Sequence, residues 1–453
     1  MSFSADILLW WLCLKKFSML FAKTFIRFSE RNVYLCNPKR ILIMKIQNIF
    51  GKGIILALAA TFLFGCSDKK TEKKNGNPQV NNIAIDDSLR GQLVEFASKP
   101  RPKGVFAFYV YDLTADKPVY GCNENQALPV ASCLKLLSGI AGLHLLGTQY
   151  RYSTSIYTRG KVENGTLHGD ITFKGDLDPQ LQSPDLAMFA KALKKQGIKK
   201  ADGRFFLDLL LKDPVKSEPH WYPWDLSFSR YGLLYKGTPR IMKELKYALR
   251  NQGINVTDSQ LVLGKLPRGS RCLFRYYRPV SLVIERMWKH SSNTQATSLL
   301  YTIGHHVNPK ASPTEAGVTY LRKFLREDLG QTDNSLVIHD GCGLCTYNHL
   351  SPAALIAILR YGYGDDAIYQ MLKRKLSISG VDGTLRSELN DSKLRGKIYG
   401  KTGTLSHPYG ISSLAGYCQG SNGHTLAFAI MDCDMSVLDA RVLQDHLCRI
   451  MIK

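Results

Sequence analysis

Long apolar runs are missing from the body of this 453-residue chain. No stretch of 18 or more apolar residues occurs there, which excludes a protein that crosses a membrane repeatedly. Acidic residues are scarce beside basic ones, 37 Asp and Glu against 60 Lys and Arg, a formal charge of +23. That balance favours anionic partners, whether nucleic acid, anionic lipid or an acidic polymer, without choosing among them. Internal repeats are absent too, which argues against a solenoid. What is present is ordinary globular composition, 45% hydrophobic, 21% charged and 10% aromatic. It excludes a disordered chain, a collagen-like repeat and a coiled coil. The length accommodates two or three domains with full cores.

The N-terminal segment sets the compartment. From Met44 the sequence places Lys45 and Lys52 before a short apolar stretch, Ile54 to Phe64, which ends in Leu63-Phe64-Gly65-Cys66. A basic start, a short apolar core and a small residue before a cysteine form a secretory leader. The ending resembles a bacterial lipobox, in which Cys66 carries lipid. On that reading residues 1–43 are not part of the mature protein, 44–65 are a signal peptide and 66–85 a polar tether. Export to the cell envelope, with a lipid anchor holding the periplasmic body of the chain to a membrane, makes nucleic acid an unsuitable partner. An excess of 16 positive charges remains from Cys66 onward. Eight cysteines also remain beyond it. Disulfides are permitted in that compartment, but a chain of this size does not need them. Cys342-Gly-Leu-Cys345 is a lone CxxC without a second pair or a nearby His cluster, which is weak support for zinc.

The patterns predict a helix over 86–98, strands over 105–113 and 118–122, and an apolar helix from Ser132 to Gly147. Residues 149–275 alternate short strands with turns and two basic helical stretches, near 184–197 and 240–253. They read as an inserted β-rich domain between two parts of one flanking domain, 86–148 and 276–453. Helices follow over 281–304, 312–329, 352–361 and 366–376, then a strand over 398–401 and a hairpin, 412–419 with 425–434. A helix over 437–450 closes the chain. Strands at both ends with helices between predict an α/β (α+β) sandwich whose termini meet in one antiparallel sheet.

Three short motifs carry chemistry. Ser132-Cys-Leu-Lys135 is SxxK, Ser291-Ser-Asn293 is SxN and Lys401-Thr402-Gly403 is KTG. Positions i and i+3 share a helix face, so the Lys135 amine can reach the Ser132 hydroxyl. A lysine serves as base only when neutral, and burial favours that form. Ser291 can relay a proton to a leaving amine, and Asn293 can hold a substrate amide and orient Lys135. Lys401 and Thr402 suit a substrate carboxylate. The backbone N–H groups of Thr404 and Ser132 suit an oxyanion. SxxK alone recurs by chance; the ordered set does not.

This set resembles that of penicillin-binding proteins and β-lactamases. Further segments narrow the resemblance to the D-alanyl-D-alanine carboxypeptidase/endopeptidase family, the low-molecular-mass class C penicillin-binding proteins. Asp340-Gly-Cys342-Gly-Leu-Cys345 resembles that family's DGSGLS, with cysteines for both serines. Gly380-Val-Asp-Gly-Thr-Leu385 resembles GxDGTL, and Gly175-Asp-Leu-Asp-Pro179 a GDPxL stretch. The resemblance implies a transpeptidase-like domain with an insertion between SxxK and SxN. It implies Ser132 as acylated nucleophile, Lys135 as its base, Ser291 and Asn293 in the proton relay, and Lys401 and Thr402 on the terminal carboxylate. The implied substrates are peptidoglycan stem peptides, cut at D-Ala–D-Ala and at D-Ala–diaminopimelate cross-links, with β-lactams as inhibitors. It implies no metal and no organic cofactor. Three alternatives stay open: a β-lactamase, although Glu388-Leu-Asn390 has the wrong spacing for the deacylating Glu; a non-catalytic peptidoglycan-binding lipoprotein; and a generic serine esterase on the same fold, which would not need the Lys401-Thr402 carboxylate clamp.

Overall fold

A computed structural model describes residues 83–453, apart from 102, 223–224, 226–229, 407–409 and 453. The leader, Cys66 and most of the tether lie outside the described residues. Chain order runs α1 (Asp87–Ser98), β1 (Val105–Asp112), β2 (Lys117–Cys122), β3 (Leu128–Pro129), a 3-10 turn at Ala131–Cys133 and α2 (Leu134–Leu146). Then come β4 (Arg151–Glu163), β5 (Thr166–Gly175), α3 (Leu186–Lys195), β6 (Lys200–Ala201), β7 (Phe205–Leu209), α4 (Thr238–Arg250), β8 (Leu261–Leu263) and β9 (Arg271–Pro279). The rest comprises α5 (Val280–Trp288), α6 (Asn293–Val307), α7 (Pro313–Lys323), β10 (His349–Leu350), α8 (Pro352–Gly364), α9 (Asp366–Lys375), β11 (Ser377–Ile378), β12 (Ile398–Leu405), β13 (Ile411–Gln419), β14 (Thr425–Cys433) and α10 (Val437–Met451).

The first sheet has the order β11-β12-β13-β14-β1-β2, antiparallel throughout. Strand β1 pairs with β14, so both ends of the described chain join one sheet, as the pattern predicts. The alternation of β1 explains the layering. Phe106, Phe108 and Val110 face one core with Leu93 and Phe96 of α1 and Leu447 and Met451 of α10. Ala107 and Tyr111 face the other, with Leu137 and Ile140 of α2 and Ile358 of α8. A strand with apolar residues on both faces must be covered on both. Each fully buried Leu or Phe contributes about 1.5–3 kcal/mol. Helix α2 is buried over its first ten residues, the expectation for a helix apolar all round.

Residues 151–279 build a second sheet, β8-β7-β5-β4-β9, with β6 beside β5. It is mixed: β4 pairs antiparallel with β5 and β9, whereas β5, β7 and β8 run parallel. Helix α3 covers it through Phe189, whose ring meets Phe173 at 5.3 Å and Phe274 at 5.4 Å. Its apolar core is continuous with that around α2. The segment begins and ends at one place, since Arg151 pairs with Pro279 and the Val280 N–H donates to Tyr150 O at 2.9 Å.

Three expected boundaries shift. The single helix over 281–304 is two helices, α5 and α6, broken around Ser291 at φ 53°. Ser292 then caps α6, its side chain accepting from the Gln295 N–H, so a new helix starts there. The helix over 312–329 changes to π-helix at Phe324–Asp328. Strand β12 runs to Leu405 rather than stopping at Lys401.

Candidate active site

The nucleophile candidate sits where the chain enters α2. Ala131 has φ 48°, a left-handed conformation that a residue with a side chain adopts at a cost. The 3-10 turn it opens presents Ser132, and α2 follows. Lys135 is completely buried, and its Nζ donates to Ser132 Oγ at 2.8 Å, Asn293 Oδ1 at 2.8 Å and Cys342 O at 2.5 Å. Three acceptors at hydrogen-bond distance satisfy its donors and leave the ammonium no freedom to rotate. Burial pulls its pKa below the ordinary lysine range, while the Asp340 carboxylate opposes that shift.

The second lysine faces the same cleft from β12. Lys401 is completely buried and donates to Ser291 Oγ at 2.8 Å and Thr402 O at 2.6 Å. Burial lowers its pKa to about 7, and the neighbouring Lys135 adds to the effect. Thr402 Oγ1 donates to Thr384 Oγ1 at 2.8 Å, which ties KTG to the Gly380–Leu385 segment. Thr404 lies on the same strand face as Thr402 by the period of two. The site side chains therefore form a triad, Ser132–Lys135–Asn293, and a pair, Ser291–Lys401.

Two glycines allow the elements to close on one another. A Cβ on Gly403 would lie 3.0 Å from the Ser132 and Cys133 nitrogens and 2.2 Å from Ser413 Oγ. Strand β12 thus lies directly against the nucleophile turn, and Cys133 Sγ donates to Lys401 O at 3.0 Å. A Cβ on Gly343, at φ +81°, would lie 1.9 Å from Ala131 O. Beyond Gly400, β12 has no strand partner on its β11 side among the described residues, because β11 pairs only with Tyr399 and Gly400.

Asp340 is a site residue the motif reading did not single out. Its carboxylate accepts from the N–H groups of Cys342 (2.9 Å), Gly343 (2.6 Å) and Cys345 (2.8 Å), and from Asn348 Nδ2 (3.1 Å). Trp221 Nε1 adds a fifth donor at 2.9 Å. The turn so formed aims the Cys342 carbonyl at Lys135. Cys342 and Cys345 are free and almost fully buried, and burial raises the pKa of both thiols, Cys345 to about 11. Such thiols are inert packing groups. Glu388 pairs with Arg441 at 2.9 Å, so its carboxylate is engaged there. From the second sheet, Gln180 Nε2 reaches Gln295 Oε1 at 2.9 Å, two positions along α6 from Asn293.

Comparison with known proteins follows this geometry. The model of the D-Ala-D-Ala carboxypeptidase 3 (S13) family matches residues 89–231 and 236–451. The chain belongs to that family. As a member it is a D-Ala-D-Ala carboxypeptidase, a hydrolase. It is 22% identical over 436 aligned positions to the D-alanyl-D-alanine carboxypeptidase DacB of Haemophilus influenzae, covering 78% of this chain and 88% of that one. A D-alanyl-D-alanine carboxypeptidase of an Actinomadura species is 30% identical over 158 residues, 34% of this chain and 28% of that one. Among solved structures, penicillin binding protein 4 of Haemophilus influenzae superposes with a TM-score of 0.65 at 19% identity, covering 79% of this chain and 97% of that one. A predatory endopeptidase of Bdellovibrio bacteriovorus gives 0.54 at 15% identity, covering 77% and 94%. These superpositions establish a shared fold for the carboxypeptidase family member described here.

Proposed function

We propose that this carboxypeptidase cleaves the terminal D-Ala–D-Ala bond of peptidoglycan stem peptides through an acyl-enzyme on Ser132. The observation that carries the reading is the buried Lys135 amine, shared between Ser132 Oγ and Asn293 Oδ1. A neutral Lys135 takes the Ser132 proton as Oγ attacks the carbonyl carbon. The N–H groups of Ser132 and Thr404 stabilise the oxyanion; each such donor is worth about 10²–10³ in rate. The proton passes from Lys135 through Ser291 to the leaving D-Ala amine. Water, deprotonated by the same base, then releases the acyl group.

Lys401 and Thr402 hold the substrate's terminal carboxylate. The carboxylate supplies the counter-charge that Lys401 lacks in the free enzyme, so binding it raises the Lys401 pKa from about 7 and recruits the ammonium form. The edge of β12 beyond Gly400, without a strand partner among the described residues, suits a peptide laid alongside as an added strand. The same site acts on D-Ala–diaminopimelate cross-links as an endopeptidase, and a β-lactam acylates Ser132 in place of the peptide. Residues 149–275 act as an insertion between the two catalytic parts. Cys66 carries the lipid that anchors the enzyme in the cell envelope.

The test is acylation of the Cys66–Lys453 protein by a fluorescent penicillin, followed by gel and intact mass. A one-to-one adduct on the parent and none on Ser132→Ala is the expected result. Fast penicillin turnover without an adduct would assign a β-lactamase instead, and no reaction by folded protein would remove the catalytic reading. For the anchor, Cys66→Ser should move the protein from the membrane to the soluble fraction.

A further inference from the structure

The positive charge of the chain is concentrated away from the catalytic motifs. Residues 151–279 hold 23 Lys and Arg against 12 Asp and Glu. The remainder of the described span, 83–150 and 280–453, holds 24 against 21 although it is almost twice as long. Within the basic segment lies a cavity of about 280 Å³ between the C-terminal half of α4 and β6. Its floor is apolar, with Ile254 and Val256 buried beneath it. Its walls carry Lys200, Lys246 and Arg250. Positions 246 and 250 are one helical turn apart and stack on one face of α4, while the opposite face buries Ile241, Leu245 and Leu249. Lys200 comes from β6, where it bridges to Asn255.

The three cations differ in how they are neutralised. Lys246 Nζ meets Asp258 Oδ1 at 2.6 Å, at the exposed rim. Lys200 and Arg250 have no acidic partner among the described residues, and both are exposed. The walls are rigidly built, because Gln260 Nε2 donates to Ala201 O at 2.8 Å and Gly203 O at 3.0 Å. The cavity is thus a fixed, cationic recess with an apolar base. It suits an anionic group carried on a chain with apolar parts better than a flat array of lipid headgroups.

Its position relative to the catalytic site is also fixed. Lys200 pairs with Thr166 at the start of β5. The other end of β5, Gly175, leads to Gln180 and its bond with Gln295 of α6. Nine residue steps separate the two ends, about 30 Å at a rise of roughly 3.3 Å per residue. A small peptide held at Ser132 does not span that distance; a polymer does.

We propose that this cavity is a second binding site, for carboxylate groups of a peptidoglycan strand whose scissile peptide lies at Ser132. It rests on the substrate reading above. The site binds the polymer and leaves the chemical step alone, so it discriminates wall-borne from soluble substrate.

The experiment uses the full protein and its double variant Lys200→Glu/Arg250→Glu. Both are pelleted with insoluble peptidoglycan, native or with its carboxylates amidated, and both are treated with fluorescent penicillin. The parent should lose at least about tenfold in binding when the carboxylates are amidated or the salt is raised to about 0.5 M, as screening requires. The variant should bind native peptidoglycan about tenfold more weakly while its acylation stays within twofold. Equal pelleting of parent and variant, or of native and amidated polymer, overturns the proposal. So does loss of binding only to vesicles of phosphatidylglycerol, which would assign the recess to a membrane surface. If the variant is not acylated it has misfolded, and Lys200→Gln/Arg250→Gln then decides by the same criteria. Failure of the parent to be acylated would count against the catalytic reading alone, because the pelleting comparison stands without it.

Discussion

Two sets of cations distinguish the two sheets. Lys135 and Lys401, against the first sheet, are wholly buried, and both amines donate only to oxygen atoms of uncharged groups. Lys200 and Arg250, beside the second, are exposed. Desolvation without a carboxylate partner favours a neutral amine, which lets Lys135 take a proton and leaves Lys401 short of a counter-charge that a bound carboxylate supplies. Exposure keeps the charge permanent, which is what holding a polyanion uses. The same residue type thus acquires different chemistry from its surroundings.

That contrast can be broken at several levels. The largest effect is expected at Ser132: Ser132→Ala should reduce acylation by about 10⁴-fold or more, with thermal stability and peptidoglycan pelleting unchanged. Equal losses in acylation and pelleting would erase the separation between the regions. Next comes Gly403→Val. A side chain there meets the Ser132 nitrogen and Ser413 Oγ, so acylation should fall about 10²-fold, as for a misplaced reacting group. Denaturant melts should show a loss of about 1–3 kcal/mol from overpacking.

Asp340→Asn sharpens the comparison by altering the surroundings of Lys135 without touching it. The Asp340 carboxylate raises the pKa of Lys135 against the lowering by burial. Removing that charge lowers it further, so the rising limb of acylation against pH should move to lower pH. The rate at its plateau should fall about tenfold, because the Cys342 carbonyl is no longer aimed. Trp221→Phe removes one of the five donors while the carboxylate charge remains, so it should give a smaller shift of the opposite sign. A pH profile that does not move would leave Asp340 as packing only. The smallest effect is expected in the second sheet, where Arg159 pairs with Asp170 at 2.6 Å and is half exposed. Arg159→Ala should cost less than about 1 kcal/mol, the ordinary value for a surface pair, with acylation untouched.

The framework of the candidate site was largely legible in the chain itself. SxxK needs only helical spacing, and Lys135 does reach Ser132. The meeting of β1 and β14 followed from strand patterns at both ends. The break at Ser291 was not legible, because no Gly or Pro interrupts the run from Val280 to Ile303. A left-handed serine supplies the break instead. Asp340 was visible only as part of a motif. Its action runs through a backbone carbonyl, and its partner Trp221 lies 119 residues away in an irregular loop. No periodicity reports either. The mixed strand directions of the second sheet were hidden for a similar reason, since short strands carry no mark of parallel or antiparallel pairing.

The doorway formed by Arg151 opposite Pro279 has a consequence for how such a chain varies in length. Ser132 and Ser291 are 159 positions apart in sequence, yet what spaces them in the fold is this single residue pair and the Tyr150–Val280 bond beside it. Enlarging or trimming the excursion between them changes closure entropy only slowly, about 0.6 kcal/mol per doubling of length. Descendants of one gene can therefore gain or lose whole strands there while the two serines stay in register. The doorway is where the spacing of the two serines and the size of the excursion are uncoupled.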